Sequence, residues 1–149
     1  MTLRDWLTAS PLIAILRGIT PREVVTLADA IVGAGIRIIE IPLNSPSPLE
    51  SIELLAKRYG EDVLVGAGTV LEPGDTARVA DAGGRLIVMP HADESVVAAA
   101  KSRGLFVIPG FATPSEAFRL LAAGADALKL FPAEAFSPAV LRAMLAVLP

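Results

Sequence analysis

The chain contains no cysteine and a single histidine, His91. The lack of cysteine excludes a disulfide framework and any metal site built on thiolates. One imidazole is too few for the histidine clusters that hold zinc and similar metals. We therefore expect neither disulfide bonds nor a protein-bound metal.

The sequence also lacks an excess of positive charge and any long apolar run. Thirteen Lys and Arg stand against 16 Asp and Glu, a net charge of −3, and the basic residues are scattered. A nucleic-acid partner is not expected, because such a surface needs clustered basic residues. The most apolar early stretch, Pro11 to Leu16, is too short for a membrane span or a signal peptide. These features predict no membrane partner and a cytoplasmic location.

Apolar residues, in contrast, are plentiful. They make up 53% of the 149 residues, above the average of about 45–50%. This length corresponds to about one domain, and the composition argues against disorder. We therefore treat residues 1–149 as a single packed domain.

Six short apolar runs rich in Ile, Val and Leu recur along the chain. They do not alternate with polar residues, which is typical of strands in a parallel sheet covered on both faces. The six predicted strands are Leu12–Leu16, Ile36–Ile41, Val63–Val65, Leu86–Met89, Leu105–Ile108 and Ala127–Leu130.

Segments of helical character lie between these strands, and each opens with a residue that favours a helix start. Ser or Thr before Pro combines an N-cap with a proline at the first helical position, and glycines close several of the helices. The predicted starts are Thr20-Pro21, Ser47-Pro48, Glu72-Pro73, Asp93, Thr113-Pro114 and Ser137-Pro138. Repeated strand and helix units of this kind build either an open doubly wound sheet or a closed (β/α)8 barrel.

The position of the unusual residues favours the barrel. No dinucleotide fingerprint follows the first strand, and Gly66-Ala67-Gly68-Thr69-Val70-Leu71 has Leu71 in place of the third glycine. Almost every strand instead has a polar or conformationally special residue at its C-terminal end, and these are Arg17, Glu40, Thr69, Pro90-His91, Pro109-Gly110 and Lys129. In a barrel these positions meet at the face that carries the active site. We predict an α/β fold of the (β/α)8 TIM barrel family with about six βα units.

Lys129 differs from the other two lysines, Lys57 and Lys101, which have polar helical neighbours. It lies in the predicted strand Ala127–Leu130, where a charge among apolar residues is costly unless it is paired or neutralised. A buried neutral amine is the nucleophile that Schiff-base chemistry needs. The alternative is a structural lysine that reaches solvent or bridges a carboxylate.

Glu40 is a second ionisable residue in a predicted buried strand, Ile36–Ile41. By this count Glu40 lies on the second strand and Lys129 on the sixth. Alternate strands fill each interior layer of a barrel, so the two side chains can meet across the core. They are candidates for a proton-transfer pair, and a structural salt bridge is the alternative.

Three further residues are weaker candidates. Arg17 follows five apolar residues, and a guanidinium at a barrel mouth suits a carboxylate or phosphate. Thr69 follows a glycine turn and can donate to an anion, although threonine there is more often a local cap. His91, close to Asp93, is interpreted as an exposed turn residue.

Five segments together resemble the class I aldolases that act on 2-keto-3-deoxy-6-phosphogluconate and its galactonate epimer. They are Pro11–Gly18, Ile39–Pro46, Gly66–Leu71, Pro109–Thr113 and Leu128–Glu134. The loop Pro42-Leu43-Asn44-Ser45-Pro46 is similar to the phosphogalactonate branch, because the phosphogluconate branch typically has an arginine at the position of Asn44.

The resemblance implies a function and a role for each candidate. It implies a lyase without a cofactor that cleaves a phosphorylated 2-keto-3-deoxy sugar acid to pyruvate and glyceraldehyde 3-phosphate in carbohydrate metabolism. Lys129 is then the Schiff-base lysine, Glu40 the acid and base, Arg17 a ligand of the substrate anion and Thr69 a hydrogen-bond partner. It also implies a homotrimer. Activity on phosphogluconate or 4-hydroxy-2-oxoglutarate substrates is the nearest alternative.

The sequence departs from this family at its C-terminal end. It finishes at Leu148-Pro149 after six units, whereas the family continues through two more that supply phosphate-binding loops. We therefore expect a C-terminally truncated barrel whose first and sixth strands have open edges that promote association. A second hypothesis, of a different class, is an inactive remnant of such an aldolase.

Overall fold

The computed structural model describes all residues from Met1 to Pro149, and its strands and helices alternate. The strands are β1 (Ile13–Ile15), β2 (Ile38–Pro42), β3 (Leu64–Gly68), β4 (Leu86–Val88), β5 (Phe106–Ile108), β6 (Gly110–Phe111) and β7 (Lys129–Leu130). The helices are α1 (Leu3–Ala9), α2 (Pro21–Gly33), α3 (Pro48–Tyr59), α4 (Pro73–Asp81), α5 (Glu94–Ser102), α6 (Pro114–Ala122) and α7 (Pro138–Leu145), with a 3-10 turn at Ala133–Ala135.

All the strand pairs are parallel, and they follow chain order from β1 to β5, with β6 paired to β7. Hydrogen bonds from Asp126 N to Val107 O and from Lys129 N to Pro109 O also attach the β7 segment to the β5 segment. The strands therefore form one continuous row. No pairing joins β7 to β1, so the row is open at that point. This is the strand and helix order of a (β/α)8 barrel with six units present.

The six predicted strands are confirmed, with one addition. Proline has no N–H to donate to a neighbour, and Pro109 separates β5 from the short strand β6, which the apolar pattern did not reveal. The N–H of Gly110 donates instead to the carbonyl of His91 at 3.2 Å. Helix α1 precedes the first predicted strand and was not predicted either.

The six predicted helix starts are also confirmed. Thr113 and Ser137 accept backbone N–H groups of α6 and α7, and Asp93 does the same for α5. Ser47 and Glu72 make no side-chain cap bond at the starts of α3 and α4, and the backbone of Ser47 is left-handed (φ +43°). There the proline at the first helical position defines the start without a side-chain cap.

The two faces of the sheet belong to two separate apolar clusters, because strand side chains alternate between faces. Residues such as Ile39, Ile41, Val65 and Ile87 pack against the helices in a cluster of 23 buried residues. The opposite face encloses the barrel interior, where seven buried residues form the second cluster, namely Leu3, Trp6, Ile38, Leu64, Leu86, Val88 and Ile108.

Helix α1 closes the N-terminal end of the interior. A capping box between Thr2 and Asp5 fixes its start, and Leu3 and Trp6 are buried against the interior cluster. The Arg85 guanidinium lies 5.8 Å from the centroid of the Trp6 ring. Because α1 covers the N-terminal end of the interior, the C-terminal end of the strands is the end left for a site.

None of the helices is both long and apolar enough to span a bilayer.

Candidate active site

Glu40 lies in the middle of β2, between β1 and β3, and its side chain is on the interior face. Ile38 two residues earlier belongs to the interior cluster, and side chains two apart share a face. Glu40 is only 2% exposed, and its Oε2 atom is buried without a hydrogen bond from any protein group. A buried acceptor without a partner costs about 1–3 kcal/mol of folding stability. The Glu40 carboxyl therefore destabilises the fold.

Burial raises the pKa of Glu40 from 4.5 to about 7. The cause is desolvation, which disfavours the charged carboxylate. The positive charges of Lys129 and Arg17 act in the opposite direction and limit the rise. A carboxyl with this pKa can gain or lose a proton close to neutral pH.

Lys129 begins β7 and faces the same cavity as Glu40. The cavity has a volume of about 230 Å³, and its other lining residues are Ile13, Ile15, Val88, Ile108 and Leu128. The structure thus brings together the two residues that the strand count predicted to meet across the interior. Lys129 is only partly buried, and its Nζ atom lies 5.2 Å from the centroid of the Phe131 ring. Lys129 is less buried than the residues of the central strands, because β7 is paired on one side only.

Asp126 anchors the segment that leads into Lys129. Its Oδ2 accepts the N–H of Val107 at 2.8 Å, and both of its carboxylate oxygens lie 2.8 Å from Nζ of Lys101. Its own N–H donates to the carbonyl of Val107. Sequence reasoning missed this residue, although an acidic residue three positions before a strand lysine is visible in Asp126-Ala127-Leu128-Lys129.

Arg17 lies on the exposed loop after β1 and contacts the loop after β2. Its Nη1 is 3.4 Å from Oδ1 of Asn44, and the N–H of Gly18 donates to the hydroxyl of Ser45 at 3.0 Å. Ser45 is buried although it is polar. Arg17 does not line the cavity of Glu40 and Lys129. Its positive charge nevertheless acts on Glu40, because it limits the rise in the pKa of that carboxyl. It therefore lies at the mouth of the barrel, near the carboxyl.

Thr69 follows β3 and has a left-handed backbone with φ of +54°. Such a conformation costs a β-branched residue about 1–3 kcal/mol and tends to occur at functional sites. Thr69 is not in the Glu40 cavity. It lines a separate depression of about 280 Å³ together with Asn44, Leu71 and Arg78.

His91 is a turn residue, as predicted, and its side chain is 41% exposed. Its Nε2 lies 3.9 Å from Asp93 Oδ2, while Nδ1 is buried without a partner. No group of three or more His, Cys, Asp or Glu side chains is arranged to bind a metal. The ionisable groups around Glu40 are the Lys129 amine and the Arg17 guanidinium, whose charges both act on its carboxyl.

Comparison with known proteins identifies the family. Residues 3–149 match the family model described as KDPG and KHG aldolase. The chain belongs to this aldolase family. The matched residues include all five segments on which the resemblance was based. The resemblance to the aldolase family is therefore confirmed.

Relatives within the aldolase family extend the comparison. The chain is 49% identical over 145 residues to 2-dehydro-3-deoxy-6-phosphogalactonate aldolase of Escherichia coli K12, which covers 97% of the chain and 71% of the relative. A solved structure described as native KDPGal superposes with a TM-score of 0.91 at 49% identity, covering 93% of the chain and 68% of that structure.

A more distant structure has been determined with a bound intermediate. It is a KDPG aldolase of Legionella pneumophila with pyruvate captured as a covalent carbinolamine, 30% identical with a TM-score of 0.90, covering 99% of this chain and 71% of that one. The barrel fold prediction is confirmed by these superpositions. The chain spans 71%, 66% and 60% of the length of three curated aldolases that it matches.

Proposed function

We propose that the chain is a class I aldolase that cleaves 2-dehydro-3-deoxy-6-phosphogalactonate to pyruvate and glyceraldehyde 3-phosphate. The proposal is carried by one observation, the unpartnered Glu40 carboxyl that shares an interior cavity with the Lys129 amine. The relative of this name at 49% identity supports the substrate. The carbinolamine in the Legionella pneumophila aldolase supports covalent chemistry.

The reaction begins when the free amine of Lys129 attacks the C2 ketone of the substrate. The resulting carbinolamine loses water to give a protonated imine, which is an electron sink. The C4 hydroxyl then loses its proton, the C3–C4 bond breaks, and its electron pair moves into the imine to form an enamine. The aldehyde leaves, C3 of the enamine gains a proton, and water releases pyruvate and the free amine.

Glu40 is the proton carrier in this proposal. It assists dehydration of the carbinolamine, accepts the C4 hydroxyl proton and returns a proton to the enamine carbon. These tasks need one group that both takes and gives a proton, and a pKa of about 7 suits both directions near neutral pH. No cofactor or metal takes part.

Arg17 and Thr69 are the proposed substrate contacts outside the cavity. Arg17 lies at the mouth, where a guanidinium can bind an anionic group of the substrate by two parallel hydrogen bonds. The Thr69 hydroxyl is a hydrogen-bond partner for substrate that extends beyond the interior. Asn44 lies between them, since it contacts Arg17 and lines the depression of Thr69.

The epimer preference rests on this mouth region. The resemblance of the Asn44 loop to the phosphogalactonate branch supports the galactonate epimer over the phosphogluconate epimer, and 4-hydroxy-2-oxoglutarate is a further alternative substrate. Comparing turnover of the two phosphorylated epimers tests this directly, and a preference for phosphogluconate would reverse the assignment.

The proposed context is galactonate degradation in the cytoplasm by a homotrimer. The resemblance to the family supports the trimer, and the small-molecule substrate needs no membrane or nucleic-acid partner. Light scattering of the purified chain tests the assembly. A mass other than that of three chains would contradict it.

Trapping with pyruvate tests the central covalent step. Pyruvate condenses with a reactive amine, and borohydride reduces the imine to a stable secondary amine that mass spectrometry locates. We expect a single label on Lys129, and none in Lys129→Met, which keeps an unbranched apolar side chain of similar size.

The other lysines are internal controls. Lys57 is exposed and paired with Glu53, and Lys101 is paired with Asp126. Label on either of these, or unchanged label in Lys129→Met, would contradict the Schiff-base assignment. A folded chain that takes up no label at all would support the inactive remnant instead.

A further inference from the structure

Gly68 is the last residue of β3, and its α-carbon faces the carboxyl of Glu40. A Cβ atom added to Gly68 would overlap three atoms of Glu40, namely Oε2, Cδ and Oε1, and the farthest of these would be only 2.5 Å away. Real Cβ atoms essentially never lie within 3.0 Å of such neighbours. The carboxyl thus occupies the space that any side chain at position 68 would take.

The backbone of Gly68 does not itself require glycine. Its φ lies outside the left-handed region, unlike that of Gly83 or Gly124. Alanine is therefore allowed by the main chain at this position, and the obstacle is the Glu40 side chain alone.

Two other glycines show how specific this contact is. A Cβ on Gly66, also in β3, would overlap the main chain of Leu86, whose carbonyl carbon would be 2.6 Å away. That clash is with a neighbouring strand and would disturb the sheet. Gly74, in α4, has no atom within 4 Å of an added Cβ, so it serves as a neutral control.

The strand register explains why the carboxyl reaches Gly68. Glu40 is directly opposite Gly66, while Gly68 is opposite Pro42, two residues nearer the C-terminal end of the strands. The Glu40 side chain therefore extends diagonally across to β3, toward the mouth of the barrel. The neighbour it meets there is an α-carbon without a donor group, which agrees with the unpartnered Oε2.

We propose that Gly68 is a positioning residue for Glu40, because its missing side chain leaves the space that directs the carboxyl toward the reacting atoms. The inference rests on the proposed function for its catalytic consequence. Its structural part, the placement of the carboxyl, is independent of that function.

The primary test is Gly68→Ala, with Gly74→Ala as the matched control. The readouts are exchange of the pyruvate methyl protons for deuterium, and titration of Glu40 by NMR in protein labelled at the glutamate carboxyl carbon. Glu40→Gln identifies the Glu40 signal by its absence.

In Gly68→Ala we expect the exchange rate to fall about 10²-fold, the usual cost of a displacement of about 1 Å. We also expect the titration midpoint of Glu40 to move toward the ordinary glutamate range as the carboxyl is pushed from its site. Gly74→Ala should change neither.

Double variants separate positioning from a general effect on the fold. In the Glu40→Gln background, Gly68→Ala should slow exchange by no more than about twofold, because the group it displaces no longer carries protons. In the Glu40→Ala background, where no carboxyl is left to collide, Gly68→Ala should not lower the melting temperature. This second result decides the question even if Gly68→Ala alone fails to fold.

Two outcomes would overturn the proposal. One is an unchanged Glu40 titration in folded Gly68→Ala, and the other is an equal loss of stability from Gly68→Ala with and without the Glu40 side chain. Failure of the proposed function looks different. In that case Glu40→Gln would exchange pyruvate protons as fast as the unaltered chain, while the Glu40 titration would still respond to Gly68→Ala.

Discussion

The two faces of the parallel sheet bury different kinds of side chain. The face toward the helices belongs to a cluster of 23 apolar residues, with Ile39, Ile41 and Ile87 fully buried. The interior face belongs to a cluster of only seven buried apolar residues, two of them from α1, and it also has a cavity of about 230 Å³ and a buried carboxyl. The outer face is closely packed against the helices, whereas the interior face leaves a cavity at the proposed active site.

This difference shows how one strand serves two purposes. Neighbouring residues Ile39 and Glu40 point to opposite faces, so a packing residue and the proposed acid and base occupy adjacent positions of β2. The interior is apolar at the end closed by α1 and polar at the mouth. Substitutions on the two faces should therefore have effects of different kinds, and four comparisons test this.

The largest effect is expected for Glu40→Gln. Imine formation with pyruvate should remain possible, while deuterium exchange at the pyruvate methyl group should slow by roughly two to four orders of magnitude, the usual contribution of a positioned acid or base. Borohydride trapping measures the first property and NMR the second. If exchange were as fast as in the unaltered chain, Glu40 would be only a structural residue.

The helix-facing layer should respond in stability instead. Ile39→Ala removes a fully buried side chain and should lower the free energy of unfolding by about 2–5 kcal/mol. The matched substitution on the interior face, Ile15→Ala, concerns a residue that is 48% exposed, and should cost less than about half as much. Chemical denaturation measures both. Equal losses would show that the two faces do not differ in packing.

The buried carboxyl should also make stability depend on pH. Between pH 4.5 and about 7 the folded state holds a proton on Glu40 that the unfolded state has released. Stability from this group is therefore present at low pH and is lost as pH rises through that window, by up to about 3 kcal/mol.

Glu40→Gln isolates this effect from the other acidic groups. Relative to the unaltered chain, the variant should gain stability at pH 8 and show no gain at pH 4. Thermal melting at the two pH values measures the difference. A gain that is the same at both would mean that Glu40 titrates normally in the folded state.

The smallest effect on stability is expected at Thr69. Thr69→Gly relieves the cost of φ at +54°, but glycine loses more chain entropy on folding, so the net change should stay within about 1 kcal/mol. Thr69→Val keeps the shape and removes the hydroxyl, and it should raise KM for the sugar acid without changing pyruvate trapping. Unchanged KM would remove Thr69 from the proposed substrate contacts.

Much of the architecture was predictable from the sequence because local rules and burial agree. Buried parallel strands leave continuous apolar runs, and Pro with its preceding residue marks helix starts such as Thr113-Pro114. The pairing of Glu40 with Lys129 in one cavity followed from the strand count, since interior layers draw on alternate strands.

What escaped prediction depends on contacts distant in the chain. Helix α1 has a local start signal in the capping box of Thr2 and Asp5, but the burial of Trp6 in the interior is a contact distant in the chain. The partial exposure of Lys129 depends on what pairs with β7, and the contact between Gly68 and Glu40 depends on the register of two strands. A sequence shows which residues are unusual, but it does not show which of them touch.

The anchor at Asp126 protects the chain against an error in strand alignment. If β7 slid by one residue along β5, Leu128 or Leu130 would face the interior and the amine of Lys129 would turn toward the helices. The hydrogen bonds of Asp126 with Val107 and its ion pair with Lys101 can form in only one alignment of the two segments. Lys101, although remote from the cavity, therefore helps to ensure that an amine and not a leucine is presented to Glu40.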